Sequence, residues 1–185
     1  VNGFGNFTSD PLLVNPSAGD FHLQSNSPCI NAGDNVYASS PTDLDGNPRI
    51  VAATVDVGAY EYQTPASAIS YAWLQQYGLA IHANTDTSDP DSDGMNNWQE
   101  WIAGTDPTSN LSVLQMLAPA STNSPDGILV SWQSVNNRTY YLQRAASLGG
   151  FSSIQSNLAG QAGITTFTDT NAAGSGPFFY RVGVQ

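Results

Sequence analysis

The chain has 185 residues and a formal net charge of -11, with 15 acidic side chains set against 4 arginines and no lysine. That length holds one large domain or two to three small ones, and the charge excludes phosphate-backbone binding and attraction to an anionic membrane, both of which need clustered cations. No apolar run is long enough to span a bilayer as a helix, and a single cysteine, Cys29, excludes an internal disulfide.

Residues 1–63 are rich in Gly, Pro, Asn and Asp, and Val1 reads as the start of a processed or excised piece. Apolar bursts at 12–14, 21–23, 50–52 and 55–57 are strand-length, with Pro11, Pro16, Pro28, Pro41 and Pro48 between and beside them. Cys29, in Ser-Pro-Cys-Ile-Asn, reads as a small buried hydrophobe and not a reactive thiol. Arg49 is the lone cation among Asp43, Asp45, Asp56 and Glu61. The expectation is a structural ion pair of Arg49 with Asp56 and Glu61, since an arginine drawn into the interior pairs with carboxylates. The alternative is a ligand for an acidic sugar.

Within this region the pieces Asp10-Pro-Leu-Leu-Val, Gly19-Asp-Phe-His-Leu, Ser27-Pro-Cys-Ile-Asn-Ala-Gly33, Asp43-Leu-Asp-Gly-Asn-Pro-Arg49 and Val55-Asp-Val-Gly-Ala-Tyr-Glu61 follow in order. This set resembles the C-terminal end of right-handed parallel β-helix surface proteins of the choice-of-anchor Q type. The resemblance implies that residues 1–63 are the last turns and cap of a solenoid. About three stacked repeats are needed before a solenoid is stable. The N-terminal face of such a piece is then expected to be covered by upstream β-helix turns or by another copy of the chain.

Residues 64–110 change character. Over 66–78, Ile69, Trp73 and Tyr77 recur every four residues with Leu74 beside them, and Gly78 is a natural stop, which predicts a helix. Residues 83–88 are polar and predicted non-helical. Then come Asp89, Asp91 and Asp93, Gly94, Met95, Asn97 and Glu100, at the positions of a twelve-residue calcium loop. Calcium takes six to eight oxygens, and alternate residues of a tight loop turn their carboxylates toward one centre. Glycine permits the bend, Met95 offers its backbone carbonyl, Asn97 acts directly or through water, and Glu100 closes the far side. The alternative is a solvated acidic loop without an ion. A second helix is predicted over 97–103, ended by Gly104, with Trp98 and Trp101 on one face. An aromatic cluster of Trp73, Tyr77, Trp98 and Trp101 is expected to form a small core in preference to stacking on sugars. The run from Tyr71 to Thr108 resembles the thrombospondin type 3-like and dockerin-like calcium repeats of secreted bacterial proteins, although the entering segment is not the helix of an EF-hand. Such repeats often come in pairs, which marks Asp86 and Asp106 as candidates for additional coordination.

Residues 111–185 read as strands at 112–117, 127–134, 138–146, 151–157, 165–169 and 178–184. Alternation places Ile128, Val130 and Trp132 on one face, Tyr140 with Leu142 on another, and Tyr180, Val182 and Val184 on a third. Short strands at this density suggest an antiparallel sandwich. The Trp132, Tyr140-Tyr141-Leu142 and Phe179-Tyr-Arg-Val182 pieces resemble a fibronectin type III-like module, which implies an exposed edge strand at the end of the chain.

The expected fold class is therefore mainly β: terminal β-helix turns, a small helical calcium-binding linker, and an antiparallel β-sandwich. No metalloprotease, nucleophile-elbow, P-loop or dinucleotide fingerprint occurs, so no enzyme is expected within this chain. The expected role is a Ca2+-stabilised structural or adhesive piece of a secreted surface protein, with copies joining head to tail into a fibre. The alternative is a glycan-binding accessory region of a polysaccharide-degrading enzyme, with Tyr141 and Phe151 stacking on sugar rings.

Overall fold

The computed structural model describes residues 6–118, 127–172 and 176–185. The chain divides into two compact units: Val1–Pro90 with Asn96–Trp98, and Asp91–Met95 with Gln99–Gln185. The region expected as a linker, 64–110, contributes to both. The described structure is mainly β, and its sheet pairings are antiparallel.

The first unit is built of turns. Two short strands, β1 (Leu13–Asn15) and β2 (Asp20–Leu23), pair antiparallel with Leu13 opposite Leu23. A 3-10 turn at Pro16–Ala18 joins them. Helix α1 spans Tyr71–Gln76 and α2 spans Ala83–Asp86. Ile30, Ile69, Tyr71 and Leu74 have no exposed surface, and Cys29, Leu23 and Val55 are also buried.

A polar knot does the work that a sheet does elsewhere. Asp43 accepts backbone N–H bonds from Asp45 (3.0 Å), Asn47 (2.8 Å) and Glu61 (3.1 Å). Asp56 accepts from the N–H groups of Asn31 (2.8 Å) and Tyr62 (2.7 Å). Glu61 accepts from Val51 (3.1 Å) and Asp56 (3.0 Å) and pairs with Arg49 at 3.2 Å. Arg49 reaches the backbone carbonyls of Gly58 (2.6 Å) and Asp56 (3.4 Å) and meets no carboxylate oxygen of Asp56 in these bonds. Burial pushes the Asp56 and Glu61 carboxyls above their usual range, with the backbone N–H bonds and Arg49 acting against it. Burial also opposes ionisation of Asp43, but its three backbone donors outweigh that and hold it below the usual range.

The knot explains why the strands predicted at 50–52 and 55–57 do not form. The Val51 N–H goes to Glu61 and the Val55 N–H to Asn35 Oδ1 at 2.8 Å, and the Val55 carbonyl and Val57 N–H make only isolated backbone bonds to Gly33 and Cys29, so no ladder forms.

Among its described residues the second unit carries five strands in two sheets. β3 (Ile128–Ser134) pairs with β6 (Gly163–Asp169), and β4 (Thr139–Ala145) is central between β5 (Ser152–Ala159) and β7 (Phe179–Val184). Val130, Trp132, Tyr140 and Leu142 are buried together, and Leu114, Met116, Ile128, Ile154, Leu158, Phe167, Tyr180, Val182 and Val184 pack against them. The predicted inward faces are thus the observed core, in an arrangement compatible with a sandwich. The stretch predicted as a strand at 112–117 runs beside β3 through one bridge, Met116 to Trp132, and forms no continuous strand. Arg144 and the Tyr180 hydroxyl meet on the carboxylate of Asp169, at 2.7 and 3.0 Å. Burial first, then that acceptor, push the Tyr180 hydroxyl up to about 12.

Candidate metal centre

Asp89, Asp91 and Asp93 sit on alternate residues of one tight loop, and each offers a carboxylate oxygen within 4.8 Å of the others. Among the described residues this is the group of acidic, histidine or cysteine side chains arranged to hold a metal ion. The loop is shaped by its own side chains. Asp91 accepts from the Asp93 N–H at 3.3 Å, and Asp93 accepts from the Met95 N–H at 2.7 Å. Ser92 (φ 62) and Gly94 (φ 96) both take left-handed backbone. A side chain at 94 has open space around it, so backbone conformation and not crowding is what favours glycine there.

Helix α3 (Asn97–Ala103) follows the loop in sequence, and its Glu100 is not one of the three grouped carboxylates. Asn97 is 1% exposed; its N–H donates to the Ser88 carbonyl at 2.8 Å and its Nδ2 to the Thr85 carbonyl at 2.8 Å. Its Oδ1 is buried with no hydrogen-bond partner among the described residues, and the same holds for Asp93 Oδ2. Glu100 has no exposed surface, and one of its oxygens accepts from Thr105 Oγ1 at 3.4 Å. A buried carboxylate or amide oxygen left without a donor costs free energy of a kind that a cation removes. The donor set is all oxygen, hard and anionic, which suits calcium or magnesium and not a soft metal.

The other residues singled out in the sequence fall elsewhere. Asp86 accepts from Ser67 Oγ (2.5 Å) and the Ala68 N–H (3.0 Å), and Asp106 accepts from the N–H (3.0 Å) and hydroxyl (2.6 Å) of Thr108. Residues 83–86, predicted non-helical, form the single turn α2, held from outside by Asn97 and the bonds of Asp86. Met95 does more than offer a carbonyl: its Sδ accepts the Leu114 N–H at 3.3 Å. Trp73 and Tyr77 pack with ring centroids 4.9 Å apart and planes tilted by 59°. Tyr141 lies over Gly183, where an added Cβ would come within 2.4 Å of its ring, and Phe151 lies under Arg181, 4.6 Å from guanidinium to centroid. Each ring therefore already has one face occupied.

Two contacts had no signal in the sequence. Arg138 Nη2 donates to the Trp101 carbonyl at 3.1 Å, placing a cation at the C-terminal end of α3. His22 bridges Asp20 (Nδ1, 2.6 Å) and Asp45 (Nε2, 2.7 Å) while stacking on Tyr60 at 4.0 Å. Comparison of the chain with protein-family models, with curated proteins and with solved structures finds no match.

Proposed function

We propose that the chain is a calcium-stabilised structural module of an extracellular surface protein, in which the ion orders the acidic loop. The observation that carries this reading is the loop itself. Three carboxylates converge within 4.8 Å, the partnerless buried oxygens of Asp93 and Asn97 lie in the same short stretch, and the division between the units falls there. In this reading Asp89, Asp91, Asp93, Asn97 and Glu100 supply side-chain oxygens and Met95 its carbonyl. The ion offsets repulsion among carboxylates that like charge otherwise drives apart. Calcium at millimolar activity outside the cell supports the extracellular assignment, as do few charged residues and abundant Asn, Ser, Thr and Gly. The sequence pieces of residues 1–63 support a β-helix cap for the first unit. The two sheets of the second support a fibronectin type III-like module.

The test is thermal unfolding followed by tryptophan emission, in millimolar calcium and in excess chelator. Calcium at about a hundred times its Kd adds about 2.7 kcal/mol of stability to a state that alone binds it. Wild type is expected to melt several degrees higher with calcium, and Asp93→Ala and Glu100→Ala are expected to lose the difference. Superimposable melts with and without calcium reject the reading.

A further inference from the structure

A second candidate site lies in the first unit, away from the acidic loop. A groove of about 580 Å³ opens between the N-terminal stretch 6–9 and the face of α1 that carries Trp73 and Gln76. That volume is within the about 300–1,000 Å³ of small-ligand sites. The helix is fixed from behind: Tyr71 and Leu74 are fully buried, Gln75 Nε2 donates to the Asn26 carbonyl at 2.9 Å, and the tilted Tyr77 ring packs against Trp73. Trp73 is thus held on a rigid element with part of its surface open to the groove.

The lining selects a ligand class. Two aromatic rings, Trp73 and Phe7, stand among the carboxamides of Asn6 and Gln76 and the hydroxyls of Thr8 and Ser9. Among the described residues no charged side chain lines the groove, in a protein where 19 of 185 residues are charged (15 acidic plus 4 basic). Anions are disfavoured by the net charge of -11 and by the absence of a local cation. Cations have no carboxylate here to meet. A purely apolar ligand leaves the amides and hydroxyls, which both donate and accept, without partners. What remains is an uncharged molecule with an apolar face and a rim of hydroxyls, which is the surface of a pyranose ring. We infer that this groove binds neutral oligosaccharides, with Trp73 as the stacking platform and Gln76 and Ser9 as hydroxyl partners. The Tyr141 and Phe151 rings, which belong to the second unit, are not required.

The test is titration of the full chain with cellohexaose, xylohexaose, mannohexaose, laminarihexaose and chitohexaose, followed by amide chemical shifts. Trigalacturonate serves as an anionic control. Saturable shifts of the 6–9 and 72–77 amides with at least one neutral hexasaccharide support the inference. Loss of that binding by tenfold or more in Trp73→Ala, and a smaller loss in the solvent-facing Gln76→Ala, complete it. Because Trp73→Ala removes packing against Tyr77, its melt is recorded alongside, and Gln76→Ala carries the result if that variant unfolds. No shifts at 10 mM with any neutral sugar, or preferential binding of trigalacturonate, overturn the inference. So does binding whose shifts map to the second unit.

Discussion

At the scale of the residue, two ionic arrangements give opposite expectations. Glu61 is buried completely and answers three donors: the Val51 and Asp56 N–H groups and the Arg49 guanidinium. Removing one partner of a buried pair strands the other, at about 3–5 kcal/mol. Glu61→Ala is therefore expected to lower the urea midpoint of the first unit sharply or to prevent its folding, whereas Glu61→Gln, which keeps an acceptor, costs less. Equal, small effects of both substitutions would show that the knot contributes little. His22 is exposed, and its contribution shows in pH dependence instead. Hydrogen bonds to Asp45 first and Asp20 next raise its pKa above the ordinary 6.5, and the same contact lowers that of Asp20. A histidine with a raised folded-state pKa contributes fully below its unfolded value and loses that contribution as pH rises through the folded one. The Asp20 share behaves oppositely, present above 3.8 and lost as pH falls through the lowered value. The melting temperature at fixed calcium is expected to decline above pH 6.5 by a few degrees at most, the groups being exposed. His22→Gln is expected to remove that decline, and an identical slope in wild type and variant refutes the assignment. The Arg49–Glu61 pair was legible because one cation stood among acids; the His22 bridge was not, because Asp45 lies 23 residues away in sequence.

At the scale of the element, legibility followed the source of each element's stability. The predicted strands at 127–134, 138–146, 151–157, 165–169 and 178–184 appear as β3 to β7, since alternation in the sequence is itself the core of a half-buried sheet. The helix predicted at 97–103 is α3 as drawn. The helix predicted from 66 begins only at Tyr71, because side chains, two of them near in sequence and one distant, take the N–H groups of the preceding turn. The Ala66 N–H goes to the Tyr71 hydroxyl, the Ala68 N–H to Asp86, and the Ile69 N–H to Ser67 Oγ. Helix α2 was illegible for a related reason: Ala-Asn-Thr-Asp has no apolar stripe, and its turn is fixed by residues far along the chain. The position of α3 likewise depends on a distant residue. Arg138 caps its last carbonyls and lies across Gly104, where an added Cβ would stand 2.9 Å from Arg138 Nε and the backbone has φ +76. Gly104→Ala combines strain with displacement of the cap and is expected to cost about 1–3 kcal/mol. Arg138→Met keeps the packing and removes the charge. It is expected to raise amide exchange in α3 by an order of magnitude while leaving β4 protected. Unchanged exchange in α3 would mean that the helix holds its place without the cap.

At the scale of the whole molecule, the consequential fact is that the division between the units coincides with the acidic loop. Each side of that loop has its own anchors. Asn97 bonds to the Thr85 and Ser88 carbonyls of the first unit, and Met95 Sδ accepts the Leu114 N–H of the second. Between these anchors lies a turn of closely spaced carboxylates, which on the proposed function like-charge repulsion opens unless a cation is bound. Local opening of such a stretch sets its cleavage by a protease when opening and closing are fast compared with cutting. A broad-specificity protease that needs no calcium, such as papain, is the suitable probe because the loop has no lysine or arginine for trypsin. In excess chelator the first cut among the described residues is expected between 87 and 95, followed by persistence of two folded fragments, each containing one hydrophobic centre. Millimolar calcium is expected to slow that cut by a factor equal to the one by which it stabilises the closed loop, so that the proteolysis and melting experiments agree on one affinity. Asp93→Ala is expected to be cut at the chelator rate under both conditions. A first cut elsewhere that ignores calcium would leave the loop a passive surface feature. A first cut in the loop that ignores calcium would keep the two-unit division and discard the ion.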